Sequence, residues 1–138
     1  MAEDVFEFEC RVYFEDTDVG GVVYNANYLK FYERARTEYL RALGYEQDQL
    51  LSQNIVFVVR NIAVDFVQAA RFNEILQVQT RITELKNVSL VFNQEIYCDR
   101  SGQKNLINSA QVKVVCVSAD EFKPIAIPKT IRDSLTPT

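Results

Sequence analysis

The side chains best equipped for chemistry crowd into one short stretch, Glu15-Asp16-Thr17-Asp18-Val19-Gly20-Gly21. Three carboxylates stand before two of the chain's four glycines. Glycine lets a backbone turn sharply or approach a neighbour closely. Helical periodicity begins just beyond, so a carboxylate here lies beside the free N–H groups of a helix start. Those donors and the helix dipole can hold a developing oxyanion. A base or nucleophile next to such donors is the minimum kit for acyl transfer. The same residues also suit a solvated acidic loop with an N-capping Asp, because Asp and Gly favour loops for backbone reasons.

The chain has no histidine. Every His-dependent triad, dyad and zinc site is thereby excluded. Any catalysis must use carboxylate, Tyr, Lys, Cys or backbone dipoles. The three cysteines, Cys10, Cys98 and Cys116, are far apart and form no Cys-x-x-Cys pair, which fits reduced core thiols in a cytoplasmic protein. Cys10 and Cys98 fall in predicted strands, away from anything that would lower a thiol pKa. A basic face with Arg34, Arg36 and Arg41 could meet phosphate or an acidic partner, but reads first as the solvated side of an amphipathic helix.

Those candidates need elements to position them. Residues 5–14 alternate β-branched or aromatic with charged side chains and read as a first strand. From 27 to 43 the period changes: Tyr28, Tyr32, Ala35, Tyr39 and Leu43 fall on one helical face. Asn25 or Asn27 can cap its start, and Gly44 its end. Four strands follow, at 55–66, 76–83, 88–97 and 106–118, with a break at 68–73 and a turn at Asp99-Arg100-Ser101-Gly102. The tail from Lys123 carries all three prolines and is expected to be extended. One long helix against five mostly antiparallel strands is an α+β layout in a single domain, 1–138.

Composition sets outer limits. Of 138 residues, 48% are hydrophobic and 25% charged, enough apolar material for one core. A net charge of -4, with no long basic run, argues against broad nucleic-acid binding. The first four residues lack the basic-then-apolar order of a signal peptide. No apolar run approaches the ~20 residues of a membrane span.

The segment Arg11-Val12-Tyr13-Phe14-Glu15-Asp16-Thr17-Asp18-Val19-Gly20-Gly21-Val22-Val23-Tyr24-Asn25 closely resembles the YbgC thioesterases of the Tol–Pal system. These belong to the 4-hydroxybenzoyl-CoA thioesterase branch of the hotdog superfamily. The likeness runs through Tyr28, Glu33 and Arg36 into 57–60, 89–94 and 114–117, covering nearly the whole chain. It implies a hotdog fold, in which a curved sheet wraps a central helix. It implies edge-to-edge homodimers, often paired into homotetramers, with active sites at the protomer interface. The implied reaction is acyl-CoA hydrolysis without metal or bound cofactor, in some members linked to acyl carrier protein and phospholipid metabolism.

The family's catalytic Asp corresponds to Asp18, as general base or as nucleophile. Backbone N–H groups around Tyr24, Asn25 and Ala26 are the implied oxyanion donors. Strand backbone near Val59 and Arg60 is expected to complete the pocket. Two positions depart from the pattern: many YbgC proteins carry His where this chain has Asn25, and Tyr where it has Phe14. Asn cannot shuttle a proton but can donate a hydrogen bond, so slower or differently selective turnover is expected. A non-catalytic module binding acyl-CoA or acyl carrier protein is the alternative. Hotdog dehydratases and hydratases need a His and are excluded.

Overall fold

The computed structural model describes residues 5–135. Its elements run β1 (Phe6–Arg11), α1 (Asn27–Ala42), α2 (Gln47–Ser52), β2 (Ile55–Phe66), β3 (Ile75–Leu85), β4 (Ser89–Arg100), β5 (Gln103–Ser118) and α3 (Lys129–Ser134). The strands form one sheet in the order β1-β3-β4-β5-β2, and every pairing is antiparallel.

Period-two alternation decides which face each strand buries. On β4, Leu90, Phe92, Gln94, Ile96 and Cys98 point inward, with Leu76, Val78, Thr80 and Ile82 of β3 beside them. Helix α1 covers that face with Tyr28, Phe31, Tyr32, Ala35, Tyr39 and Leu40. Complete burial of Phe31 alone stabilises by about 2–3 kcal/mol. Aromatic edges fix the helix on the sheet. Tyr39 meets Phe6 of β1 at 5.6 Å and Phe92 of β4 at 6.1 Å, and Tyr28 meets Phe66 of β2 at 5.8 Å.

A polar seam crosses the core. The fully buried Gln94 amide donates to the Tyr32 carbonyl at 3.0 Å and to Thr80 Oγ1 at 2.9 Å, and its oxygen accepts from Arg36 at 3.0 Å. Tyr32 donates its hydroxyl to Asn108 Oδ1 at 2.7 Å. A sheet side chain thus reads the position of the helix along the strands.

Several expectations change. The first strand stops at Arg11, because residues 14–16 turn into a short 3-10 helix that redirects the chain. Neither Asn25 nor Asn27 caps α1; Ala26 occupies the cap position without a side-chain bond, and the Asn27 amide is used elsewhere. Leu43 is 36% exposed, while Phe31 and Leu40 fill the core. Gly44 does end the helix, at φ +99°, with its N–H on the Arg41 carbonyl and that of Tyr45 on the Leu40 carbonyl. The tail is not wholly extended: α3 buries Ile131, with Leu135 buried just beyond it. The tail's last prediction, over residues 136–138, lies outside the described residues.

Candidate functional site

Of the three loop carboxylates, two take opposite roles. Asp16 is 5% exposed. Its Oδ2 accepts the Tyr13 N–H at 2.8 Å, and its Oδ1 accepts the Asn27 amide at 2.8 Å. Its carbonyl accepts the Tyr24 N–H at 3.0 Å. Asp16 therefore ties the loop to the first residue of α1. Glu15 is exposed.

Asp18 is exposed, and among the described residues its Oδ1 accepts only the Gly20 N–H, at 2.9 Å. The turn beneath it is closed by Gly21 N–H to the Asp18 carbonyl and Asp18 N–H to the Val22 carbonyl, both 3.0 Å. Gly21 takes φ +79°, a region that favours glycine. A Cβ on Gly20 would come within 3.3 Å of Asp18 Oδ1. The glycine pair thus allows the turn and leaves room for the carboxylate. One oxygen of Asp18 is held, and the other is open for reaction.

The predicted oxyanion donors divide. The Tyr24 N–H is already taken by the Asp16 carbonyl, so it is not available to a ligand. Among the described residues no acceptor meets the N–H groups of Asn25 or Ala26 at the mouth of α1. Both residues are exposed, and the Asn25 side chain makes no hydrogen bond to a described group. Phe14 is 81% exposed and packs edge-on against Phe72, ring centres 5.8 Å apart. Tyr13, Val19 and Tyr24 are exposed too, so the segment that carries Asp18 presents an exposed apolar rim.

The crossover after β2 supports this loop from behind. The Val23 N–H donates to the Ala70 carbonyl at 2.8 Å, and the Ala70 N–H to the Tyr28 hydroxyl at 3.0 Å. Arg100 pins that crossover, with Nε and one Nη on the two oxygens of Glu74, each at 2.8 Å, and the same Nη on the Ala69 carbonyl. The guanidinium holds the Glu74 carboxyl below its ordinary value. Sequence reasoning missed this brace, whose partners lie 26 residues apart.

Val59 and Arg60 lie on β2, a sheet edge, away from Asp18 in chain and element. Both are exposed, and the register with β5 slips between Val59 and Asn61, making Arg60 a bulge. Among the described residues no hydrogen bond, ion pair or ring contact joins either of them to the Asp18 loop. Instead Val59 borders an apolar cavity of about 180 Å³ between α1, β2 and the C-terminal segment. A wider hollow of about 400 Å³ opens on the opposite face of the sheet, with Asp65, Arg81, Asn93 and Glu95. That hollow is shallow and polar, with neither a helix start nor Asp18, and does not provide the acyl-transfer kit.

The thiols offer no rival nucleophile. Burial pushes Cys10 up to about 11, and raises Cys98 and Cys116 as well. Among the described residues no group of three or more Cys, Asp or Glu could hold a metal ion. No described helix is long and apolar enough to cross a membrane.

Residues 12–135 match the family model described as the thioesterase-like superfamily. The chain is 46% identical over 131 residues to the acyl-CoA thioester hydrolase YbgC of Escherichia coli O6:H1, covering 95% of this chain and 96% of that one. It is 44% identical over 133 residues to the acyl-CoA thioesterase YbgC of Haemophilus influenzae, covering 96% and 95%. Among solved structures, the 1,4-dihydroxy-2-naphthoyl-CoA thioesterase of Synechocystis superposes with a TM-score of 0.86 at 26% identity, covering 95% of each chain.

Proposed function

Because the chain belongs to the thioesterase-like superfamily, with its hotdog fold, and within it to the YbgC acyl-CoA thioesterases, we propose that it hydrolyses acyl-CoA thioesters at Asp18. One observation carries the assignment to that residue. Asp18 is the loop carboxylate that a backbone N–H, that of Gly20, holds by one oxygen while the other stays uncommitted, and two unclaimed N–H groups stand a few residues on, at the start of α1.

The reaction follows from those parts. The carboxylate takes a proton from water as the water oxygen bonds to the thioester carbonyl carbon. The negative charge that develops on the carbonyl oxygen is met by the N–H groups of Asn25 and Ala26, aided by the positive end of α1. The tetrahedral species collapses, the C–S bond breaks, and the sulfur leaves with the proton held by Asp18. The products are a free acid and CoA. Direct attack by Asp18 would instead form a mixed anhydride, which water then opens. Label in Asp18 after single-turnover hydrolysis in ¹⁸O-water marks the anhydride path opened at the Asp18 carboxyl carbon, because general-base hydrolysis puts the label only in the product acid. Neither route needs a metal or cofactor, so dialysis against EDTA is expected to leave turnover unchanged.

The free β2 edge, its bulge and the exposed apolar rim support a homodimer paired along β2. Such pairing would bring Val59 and Arg60 of one protomer toward the Asp18 loop of the other. A homotetramer, an acyl-carrier-protein partner, cytoplasmic residence and a place in lipid metabolism beside Tol–Pal come with the family likeness and complete the proposal. Sedimentation, hydrolysis of acyl-carrier-protein thioesters and cell fractionation test them in turn.

The central test is thiol release from an acyl-CoA panel by the wild type and by Asp18→Asn. We expect loss of about a thousandfold or more, with fold and oligomer intact. Wild-type rates preserved in Asp18→Asn would overturn the assignment. Tight acyl-CoA binding without thiol release by the wild type would make this a binding module.

A further inference from the structure

The two halves of the proposed reaction come from separate pieces of chain. The carboxylate rides on the turn that closes at Val22, and the free N–H groups of Asn25 and Ala26 precede α1. The crossover after β2 holds both. Its residues 70–72 lie along 21–23. The Ala70 carbonyl accepts the Val23 N–H at 2.8 Å, Val22 bridges Arg71 in antiparallel fashion, and the Phe72 N–H reaches the Gly21 carbonyl at 3.4 Å. The returning arm of the Asp18 turn is thereby fastened to the crossover.

The helix start is fastened to the same residue. The Ala70 N–H donates to the Tyr28 hydroxyl at 3.0 Å, across 42 residues of sequence. Ala70 is fully buried and Tyr28 is 2% exposed, so water does not replace either of the Ala70 bonds. The Tyr28 ring is set edge-on against Phe31 at 6.2 Å and Phe66 at 5.8 Å, which aims the hydroxyl. Ala70 thus ties the turn with its carbonyl and the first turn of α1 with its N–H.

Ala70 is itself gripped through its own peptide bond. The oxygen of the Ala69–Ala70 peptide accepts Arg100 Nη2 at 2.7 Å, while the N–H of that peptide serves Tyr28. A cation on the oxygen polarises the amide and strengthens its N–H as a donor. Glu74 fixes the guanidinium through two bonds of 2.8 Å, and its Oε1 also accepts the Arg71 N–H at 2.8 Å. The crossover is therefore held on both sides of Ala70.

We propose that Tyr28 and Arg100 are positioning residues for thioester hydrolysis: they grip one peptide group from its two ends and so set the Asp18 carboxylate against the N–H groups of Asn25 and Ala26. The proposal rests on the thioesterase reading and deepens it. The Tyr28 hydroxyl is committed to Ala70, so its influence on the reaction passes through the backbone. A shift of about 1 Å between reacting groups costs on the order of a hundredfold in rate, and the loss falls on kcat rather than KM.

The experiment measures kcat and KM for thiol release from hexanoyl-CoA and benzoyl-CoA, well below each variant's Tm. Tyr28→Phe keeps the ring and should lower kcat by about tenfold or more with KM nearly unchanged. Arg100→Met should share that loss, and Arg100→Lys, which keeps the charge without the fork, should recover part of it. The double variant Tyr28→Phe/Arg100→Met should lose little more than the worse single one, because both act on one peptide. Tyr32→Phe is the matched control. It removes a buried hydroxyl one turn along the same helix, bonded to Asn108 instead, and should keep wild-type kcat. Wild-type kcat in folded Tyr28→Phe, an equal loss in Tyr32→Phe, or fully multiplicative losses in the double variant would overturn the proposal.

Amide hydrogen exchange followed by NMR reads the clamp without turnover. Tyr28→Phe should speed exchange at Ala70 and Val23 by about tenfold, with the central strands unchanged. Unchanged exchange at both amides would overturn the clamp, whatever the activity. A wild type that releases no thiol would instead overturn the thioesterase reading, and the exchange rates would still decide whether Tyr28 and Ala70 hold the turn to the helix.

Discussion

Replacing Asp16 by Ala should damage stability where replacing Asp18 does not, although the two residues are neighbours in one loop. Asp16 is 5% exposed and accepts two hydrogen bonds, from the Tyr13 N–H and the Asn27 amide, both at 2.8 Å. Removing the carboxylate leaves the buried Asn27 amide without an acceptor, at about 1.5–3 kcal/mol for a bond to a charged group. Tyr13 is 61% exposed, so water recovers part of its loss. The total is about 3 kcal/mol, or about 10 °C in Tm for a domain of this size. Asp18 is exposed and bonded to one backbone N–H, so Asp18→Asn should move Tm by about 2 °C or less. Thermal unfolding followed by circular dichroism gives both numbers, with thiol release measured alongside. A drop under about 3 °C for Asp16→Ala would refute the anchoring role and the accounting behind it.

Other outcomes follow from the braces and turns. Arg100 depresses the Glu74 carboxyl, so its contribution is complete above the unfolded glutamate value. It fades as pH falls through the lower folded value; the stability gap between wild type and Glu74→Gln should therefore close in acid, and a gap unchanged there would contradict the pairing. Cys10, raised to about 11, should alkylate with iodoacetamide at pH 8 about a hundredfold more slowly than a cysteine in an unstructured peptide. Comparable rates would show that its burial is not maintained in solution. Ser101 and Gly102 turn the β4–β5 hairpin at φ +54° and +79°, so Gly102→Ala should cost about 1–2 kcal/mol in urea unfolding, and a neutral result would argue for a different turn.

The strands were readable because their inward faces repeat every second residue. Leu90, Phe92, Gln94 and Ile96 do so without interruption, and even the polar Gln94 keeps the phase. The long helix was readable from its aromatic face and from Gly44. The short α2 and α3 were not, since six residues give too few turns for a period to emerge. The loop carried its chemistry in its residue types, but not the division of labour between Asp16 and Asp18. That division depends on Asn27, eleven residues away, turning its amide back toward the loop. The same turn explains why a good capping residue does not cap. Likewise Tyr24, whose N–H resembles any other at a helix start, is removed from the donor set by the Asp16 carbonyl. The order of the strands in the sheet has no local signature at all.

That order bears on how the polypeptide reaches its final form. Strands β3, β4 and β5 follow one another as neighbours, and their hairpins close over short distances. By contrast, among the described residues β2 pairs only with β5, and Ile55 meets Ser118 across 63 residues. Local contacts form faster than distant ones. A ribosome would therefore extrude α1 and β2 well before the surface that receives them, leaving greasy faces bare until synthesis passes residue 118. We expect pulsed hydrogen exchange during refolding to protect the β3–β5 amides before those of β2. Simultaneous protection of all four strands would show that this meander does not form first.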